Sequence, residues 1–277
     1  MPLPESELNK IEAALPPAEA DETTGGTDVK TVLTAQEALE KLRAGQALEN
    51  VRVVRLTFKG EFPLPVHLKH AVLVQPHFDG AVFRGEVVLH GCTVERATFG
   101  RPTEFHQDLN LAGSTLTRVQ LNRVTVRGKL HCDNVVCRGR FLLRDSRFEG
   151  GTRFWEARFN GWAELRDCAF TSEADFRSFH AEEGFIVSNC RFAGDVLYRG
   201  STVSKKFDAT GTRFDGLVDF SKAKLHDYVY LEGIEQGDKQ CFAFSNTLGE
   251  RLRIRTAQLV GRLRSEEQRD YDAAMHE

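Results

Sequence analysis

The sequence is poor in the residues that usually diversify a hydrophobic core. It contains 2 Met, 2 Trp and 4 Tyr beside 20 Phe. The remaining composition is ordinary for a globular protein, with 41% hydrophobic and 28% charged residues. Such reliance on one aromatic residue without a polar atom indicates that the same side chain is used at many equivalent positions. That is a first sign of internal repetition.

Long apolar runs and targeting signals are missing as well. No run of 18 or more apolar residues occurs, so we predict no transmembrane helix. The N-terminus reads Met-Pro-Leu-Pro-Glu and continues acidic, unlike a secretory signal. The six cysteines form no CxxC pair and no Cys/His metal spacing; they are Cys92, Cys132, Cys137, Cys168, Cys190 and Cys241. We therefore expect reduced thiols in a cytoplasmic protein.

The net charge of −3 conceals an uneven distribution along the chain. Residues 1–50 carry a net charge of −6, residues 51–147 carry +7, and residues 148–235 carry −4. Residues 236–277 are neutral overall. The basic stretch lies in the middle of the chain, where it can attract an acidic partner.

Four apolar positions recur together every 21 or 22 residues, and in the later units they are separated by steps of 6, 5, 6 and 5 residues. The first three units have a step of 5 where the later ones have a step of 6. The first column of this frame contains Phe62, Phe83, Phe105, Val126, Phe148, Phe170, Phe192 and Phe214. In the last four units the second, third and fourth columns are Phe154, Phe176, Tyr198 and Phe220; Phe159, Ala181, Val203 and Leu225; and Leu165, Val187, Ala209 and Leu231. All 32 framed positions are apolar, counting Cys and Tyr, whereas chance at 41% would give about 13.

A step of five or six residues fits neither a helical face nor the two-residue alternation of a strand. It fits a chain that runs straight briefly, turns a corner and does so four times in each coil. Framed residues then point inward, and coils stack by backbone pairing about 4.8 Å apart. We therefore predict an all-β solenoid, a parallel β-helix of about eight coils of 21–22 residues, with Phe stacked on Phe inside.

Two secondary positions support the frame. The residue two before a framed position is often small, as at Ser146, Ala157, Cys168 and Cys190, which suits a crowded inner side. The residue two after is often glycine, which we interpret as a corner requiring positive φ. These glycines are Gly80, Gly85, Gly150, Gly161, Gly194 and Gly216.

The pattern Phe-x-Gly-(x)3-Phe-(x)2-Ala-x-Phe, from Phe148 to Phe159, resembles the degenerate, Phe-rich subgroup of the pentapeptide-repeat family. Phe214 to Leu225 is a second match, and the resemblance covers residues 62–235. It implies a right-handed quadrilateral β-helix, in line with the usual hand of parallel crossovers. Because these coils exceed the family's 20 residues, we expect the extra residues to bulge at corners. An ordinary three-faced β-helix is the alternative.

The sequence outside residues 62–235 predicts caps. Residues 1–33 are acidic and rich in Pro, typical of a disordered tail. Residues 34–61 are expected to form a capping helix, started by the Thr34–Glu37 capping box, and a partial first coil. We expect this helix to cover the open strand edges at the N-terminal end.

Residues 236–277 are expected to form a C-terminal helical cap. Helical spacing relates Leu248, Leu252, Leu259 and Leu263, and Ser265 with Gln268 predicts a second helix start. That second helix has no stop signal, which favours a fragment of a longer protein.

No constellation of chemistry-bearing residues follows the frame. His67, His70 and His77 share one coil but occupy different sides, so we predict no metal site. The framed Cys132 and Cys137, and Cys168 with Cys190, are interpreted as small buried hydrophobic residues. No column of acidic residues spans three coils and no long insertion builds a cleft, so we predict neither catalysis nor a cofactor.

One basic feature does follow the frame. Arg101, Arg123, Arg144 and Arg166 come one or two residues after the fourth column in successive coils, with Arg118, Arg138 and Arg140 just before it. The simpler interpretation is a solvated face with Asp145 and Asp167 as counter-charges. The functional hypothesis is a strip that binds a polyanion or an acidic partner.

We expect a non-enzymatic protein-interaction scaffold or regulatory module, a rod about 35–40 Å long. Among pentapeptide-repeat proteins the resemblance also suggests a DNA mimic that binds a topoisomerase such as gyrase, but that role requires an acidic rod and residues 51–147 are basic. A sensor domain of a longer protein and a polysaccharide-acting enzyme are further alternatives. A protein partner is expected, and a homodimer through the capped ends is a second assembly that the pattern allows.

Overall fold

The computed structural model describes residues 31–99, 102–237, 242–243 and, for the backbone alone, 248–253. The chain begins with β1 (Thr31–Leu33), α1 (Ala35–Arg43), β2 (Leu48–Glu49), β3 (Val51–Val54), β4 (Gly60–Phe62), β5 (Val66–Lys69), β6 (Val72–Val74), β7 (Ala81–Phe83), β8 (Val87–His90), β9 (Thr93–Glu95) and β10 (Thr103–Phe105). It continues with β11 (Leu109–Asn110), β12 (Thr115–Asn122), β13 (Val124–Val126), β14 (Leu130–His131), β15 (Val136–Arg144), β16 (Arg147–Phe148), β17 (Thr152–Arg153), β18 (Arg158–Phe159), β19 (Trp162–Arg166), β20 (Ala169–Phe170), β21 (Ala174–Asp175) and β22 (His180–Ala181). The last strands are β23 (Gly184–Ser188), β24 (Arg191–Phe192), β25 (Val196–Leu197), β26 (Thr202–Val203), β27 (Lys206–Asp208), β28 (Arg213–Phe214), β29 (Val218–Asp219), β30 (Lys224–Tyr230), β31 (Glu235–Gln236), β32 (Phe242–Ala243) and β33 (Leu248–Arg253).

These strands pair in parallel, each with the equivalent strand one coil away, so that the chain is a β-solenoid of about nine turns. A 9-stranded sheet carries the first framed column and a 10-stranded sheet carries the second. A 14-stranded sheet carries the third and fourth columns. We name the part of the surface outside each framed column the first to fourth side; the third and fourth sides share one sheet.

All 32 framed positions are buried, which confirms the frame. The register agrees with it residue by residue: Phe148 pairs with Phe170, Phe170 with Phe192, and so on along the first side. The extra residue of the longer coils does bulge, because the register between β12 and β15 shifts between Thr117 and Val119. This shift lies at the corner between the third and fourth sides.

Aromatic ladders fill the interior. Phe154 stacks on Phe176, Phe176 on Tyr198 and Tyr198 on Phe220, with ring centroids 5.2, 5.1 and 4.8 Å apart. Parallel stacking at this distance follows from the spacing of hydrogen-bonded strands, which puts identical side chains one above another. The ladder is therefore a consequence of the coil, and each ring has neighbours on both faces.

The small inner residues form a second kind of ladder, made of hydrogen bonds. The Ser146 hydroxyl donates to the carbonyl of Leu121 (3.1 Å), and that of Thr212 donates to the carbonyl of Val187 (2.6 Å). The thiols of Cys168 and Cys190 occupy the same place and point at the carbonyls of Leu143 and Leu165. Small side chains with a donor are thus suited to this corner, where a carbonyl turns inward.

The interpretation of the glycines as positive-φ corners was wrong for five of the six. Only Gly80 has a positive φ, of 70°. A Cβ at the others would lie 2.2 to 2.6 Å from backbone atoms of the preceding coil, and these positions are Gly85, Gly150, Gly161, Gly194 and Gly216. Glycine is needed there for the close approach of two coils, whereas positive φ occurs at turns occupied by residues such as Asn134 and Glu156.

Helix α1 covers the N-terminal end of the rod. Thr34 and Glu37 form the predicted capping box, and Ala38 and Leu42 are buried. Arg43 reaches the end strand of the 9-stranded sheet, where its guanidinium donates to the carbonyls of Lys59 (2.7 Å) and Glu61 (3.2 Å). These carbonyls lie at the sheet edge, so the helix blocks further pairing there.

Both ends of the solenoid extend beyond the predicted 62–235. At the N-terminal end, Thr31–Leu33 is not part of a disordered tail but strand β1, which pairs with β3 because that strand offers a free edge. Residues 1–30 lie outside the described residues.

The C-terminal prediction was wrong where the structure describes it. Leu248 and Leu252 lie in strand β33, paired with β30, and not in a helix. A spacing of four residues fits a helical face and also two steps of strand alternation, and the open edge of β30 decides between them. Leu259, Leu263, Ser265 and Gln268 lie outside the described residues.

Candidate binding face

The structure brings together two of the four arginines of the predicted strip. Arg144 and Arg166 are register partners in adjacent coils of the fourth side. Their column continues as Asn122 before and Ser188 after, so the cations do not extend along it. Arg123 lies one residue further on, in a turn with φ 55°, and Arg101 lies outside the described residues.

The counter-charge for these arginines is Glu164, not Asp145 or Asp167. The guanidiniums of Arg144 and Arg140 donate to the two carboxylate oxygens of Glu164, at 2.9 and 3.1 Å. The Nε atom of Arg166 lies 2.8 Å from the same carboxylate. Asp145 and Asp167 occupy the following turn, with φ of 50° and 54°.

Glu164 is buried although it faces outward. Its side chain is 5% exposed, and its register partners Leu142 and Ile186 are both apolar. Burial is the largest single influence on the pKa of Glu164 and acts to raise it, because a charged carboxylate is less stable away from water. Arg144, Arg166 and Arg140 together outweigh it, so that the pKa of Glu164 lies below its ordinary value. The carboxylate is therefore ionised and holds three guanidiniums around itself.

Trp162 lies beside this cluster with its indole on the surface. Its register partner is Gly184, where a Cβ would lie 2.7 Å from Cζ3 of the ring. The ring thus covers the glycine and leaves its other face to solvent, with 41% of the residue exposed. We call Arg140, Arg144, Trp162, Glu164 and Arg166 the Arg–Trp face.

The coil after β19 carries Gly184, Ile186 and Ser188 on this face, and cationic and aromatic groups return only in the two coils after that, in β27 and β30. Lys206 forms an ion pair with Asp208 (2.8 Å), and its Nζ lies 4.7 Å from the ring centroid of Tyr230. Tyr230 packs against Tyr228, with ring centroids 6.1 Å apart. The charge of Lys206 is thus balanced by a carboxylate of its own, whereas Arg140, Arg144 and Arg166 share the single carboxylate of Glu164.

On the first and second sides, the number of cations in each ion-pair group is closer to the number of carboxylates. On the first side, Arg191 and Arg213 share Asp215, and Arg213 also contacts Glu235. On the second side, Arg153 pairs with Asp133 (2.6 Å), and Arg177 with Asp175 (2.7 Å). The Arg–Trp face differs from them because three cations meet one carboxylate there.

The histidines, cysteines and apolar segments were also compared with what a metal site, a reactive thiol or a membrane span requires. Within the described part of the chain, no group of three His, Cys, Asp or Glu side chains is placed to hold a metal ion. The five described cysteines are buried, and burial raises the pKa of Cys92 to about 12. No helix among the described residues is long and apolar enough to cross a membrane.

Sequence reasoning missed Glu164 and Trp162. A signal for Glu164 was present, because positions 22 residues before and after it carry Leu142 and Ile186, and a lone carboxylate between two apolar residues indicates a buried charge. Trp162 had no comparable signal, since its exposure depends on the missing side chain of Gly184 in the next coil.

No family model matches the chain, and no curated protein matches its sequence.

Proposed function

We propose that this protein is a non-enzymatic protein-interaction scaffold, built on a β-helix of the pentapeptide-repeat type, which binds its partner through the Arg–Trp face. The family assignment is supported by the Phe148–Phe159 pattern and by the Phe-rich stacked core. The functional assignment is supported chiefly by one observation. An exposed Trp162 stands beside three arginines that are held by a single buried carboxylate.

Trp and Arg are the side chains that contribute most often and most strongly to binding energy at protein interfaces. Here they project from strands β15 and β19, which pair in register over four residues, Phe141–Arg144 with Ala163–Arg166. Side chains on such a regular sheet keep fixed relative positions, so little ordering is needed when a partner binds.

The non-enzymatic part of the proposal rests on how the outward carboxylates are used. Glu164, Asp175 and Asp215 each face at least one guanidinium within 3.1 Å. Each of these carboxylates is thus already engaged by a cation, and Glu164 in particular is a poor general base because its three arginines hold its pKa below the ordinary value.

A capture experiment with matched tryptophan variants tests the proposal. Wild type, Trp162→Ser and Trp155→Ser serve as immobilised baits; Trp155 lies next to the second side and is 40% exposed, almost the same as Trp162. We expect a protein that wild type and Trp155→Ser retain in stoichiometric amount and that Trp162→Ser loses. Equal retention by all three baits, or retained material that nuclease removes, would contradict a protein scaffold that acts through this face.

A further inference from the structure

We propose that the Arg–Trp face binds a short acidic segment of a protein, in which carboxylates flank an aromatic residue. This inference rests on the proposed function and deepens it by naming the chemistry of the partner. The carboxylates would contact Arg140, Arg144 and Arg166, and the aromatic ring would pack on Trp162.

The charge on the face is suited to one or two carboxylates. Three guanidiniums surround Glu164, so two positive charges stay uncompensated within the cluster. Arg144 and Arg140 each use a single Nη2 donor on Glu164, and a guanidinium has five donors in all. The arginines therefore retain donors for a second acceptor.

Glu164 has a positioning role in this proposal. Leu142 and Ile186 occupy equivalent positions in the adjacent coils, so an apolar residue would fit at 164 without the cost of burying a charge. The carboxylate instead fixes the long arginine side chains before a ligand arrives. Fixing them lowers the conformational entropy that binding would otherwise cost.

Trp162 supplies an apolar plane next to the charges. The absence of a side chain at Gly184 lets the indole lie flat on the following coil, which leaves one ring face open. An aromatic side chain of a partner can stack on that face, a contact that contributes about 0.5–1.5 kcal/mol beyond burial.

The extent of the cationic column favours an acidic peptide over a nucleic acid. Single-stranded nucleic acid binds along a continuous positive groove that follows its backbone. The column of Arg144 and Arg166 is instead bounded by Asn122 and Ser188, and spans one interval between coils, about 5 Å. Glu164 and Asp208 would also repel a phosphate chain that ran along this side. A short segment with two carboxylates meets neither obstacle.

The two tryptophans allow a direct test by fluorescence. Trp155→Phe leaves Trp162 as the only indole in the chain, and Trp162→Phe leaves only Trp155 as a control reporter. Each single-tryptophan protein is titrated with the blocked pentapeptide Asp-Glu-Phe-Glu-Asp, with Ser-Gln-Phe-Gln-Ser, and with a ten-residue oligothymidine.

We expect a saturable change in Trp162 emission with the acidic peptide and none in Trp155 emission. The neutral peptide should bind about tenfold more weakly, because two exposed ion pairs together contribute about that factor. A triple variant combines Arg144→Ser, Arg166→Ser and Glu164→Gln in the Trp155→Phe background. We expect it to bind the acidic peptide more weakly than Trp155→Phe does, by a similar factor. Glu164→Gln is included so that no buried carboxylate is left unpaired, and Arg140→Ser alone is a second variant should the triple variant fail to fold.

The inference is overturned if Trp162 emission shows no saturable change, if both reporters respond alike, or if oligothymidine binds more tightly than the acidic peptide. Those outcomes leave the capture experiment unaffected, since a scaffold can bind a partner of different chemistry. If the acidic peptide binds as expected but the capture experiment retains no specific protein, the proposed scaffold function is contradicted. The proposed chemistry of the Arg–Trp face would still stand.

Discussion

Phe170 and Phe192 lie one above the other in the core, with ring centroids 4.5 Å apart and planes inclined by 5°. Their strands are hydrogen-bonded in register, Phe170 opposite Phe192. The stacking distance is therefore set by the backbone, and neither ring can move toward the other when a neighbour is removed. A core built in this way is rigid along the axis of the rod.

Phe192→Ala should lower the free energy of unfolding by about 3–5 kcal/mol. The reason is that Phe170 and Phe214, which stack on its two faces, are held apart by the sheet and cannot fill the cavity. Urea denaturation measures the loss, with Phe192→Leu as the variant of smaller effect. A loss below about 1 kcal/mol for Phe192→Ala would contradict the ladder.

Two adjacent glycines should respond differently to alanine. A Cβ at Gly150 would lie 2.2 Å from the carbonyl oxygen of Gly128 in the preceding coil, whereas at Gly151 the nearest atom, the carbonyl oxygen of Glu173, is 3.8 Å away. We expect Gly150→Ala to cost about 1–3 kcal/mol by overpacking, and Gly151→Ala to be neutral or slightly stabilising. Thermal melting compares them, and equal effects would refute close approach as the reason for glycine at 150.

Tyr198→Phe should raise stability. Tyr198 occupies a ladder between Phe176 and Phe220, is fully buried, and its hydroxyl has no hydrogen-bond partner within the described structure. Burial also raises the pKa of this phenol well above its usual value. Removing an unsatisfied hydroxyl should gain about 1 kcal/mol in denaturant unfolding. A destabilised variant would show that the hydroxyl has a partner, such as a bound water.

The ion cluster at Glu164 predicts how stability depends on pH. Its pKa is lower in the folded chain than the ordinary 4.5, so its contribution is present above about pH 4.5 and is lost as the pH falls through the folded value. Wild type should therefore exceed Glu164→Gln in stability at pH 7, by about 1–2 kcal/mol, and this advantage should shrink as the pH falls below 4.5. Asp208, whose pKa is also lowered, is present in both proteins and cancels in the difference. A difference that is constant with pH would contradict an ionised, paired Glu164.

The interior of this fold could be predicted from the sequence because the coil repeats. All framed residues from Phe62 to Leu231 occupy equivalent inward positions and are buried. Recognising the period of the repeat is therefore enough to identify each of them as a core residue. Even the extra residue of β15, which lies between Arg138 and Phe141 opposite Thr117 and Val119, left a trace, because the framed step from Cys137 to Leu143 is six residues where that from Leu116 to Leu121 is five.

The exterior could not be predicted in the same way. Arg140, Arg144 and Arg166 meet at Glu164 because their long side chains reach across neighbouring strands. The repeat predicts only the coil to which each residue belongs, and not the direction of its side chain. Arg123 illustrates this, because one residue of offset moved it from the strand into a turn. The end of the solenoid was mispredicted for a related reason: Leu248 and Leu252 are compatible with two local structures, and pairing with β30 selects the strand.

The central claim is that a partner docks on the fourth side, over the Arg–Trp face, and photo-crosslinking tests it most directly. A benzophenone side chain is placed at position 188, next to Arg166 in the same column, or at position 125 on the first side, opposite Arg147; Ser188 and Thr125 are both half-buried strand residues that face outward. After irradiation with the captured partner, we predict an adduct from position 188 that disappears with Trp162→Ser, and none from position 125. Adducts of equal yield from the two positions, or an adduct from position 125 alone, would contradict the assignment of the Arg–Trp face as the binding surface.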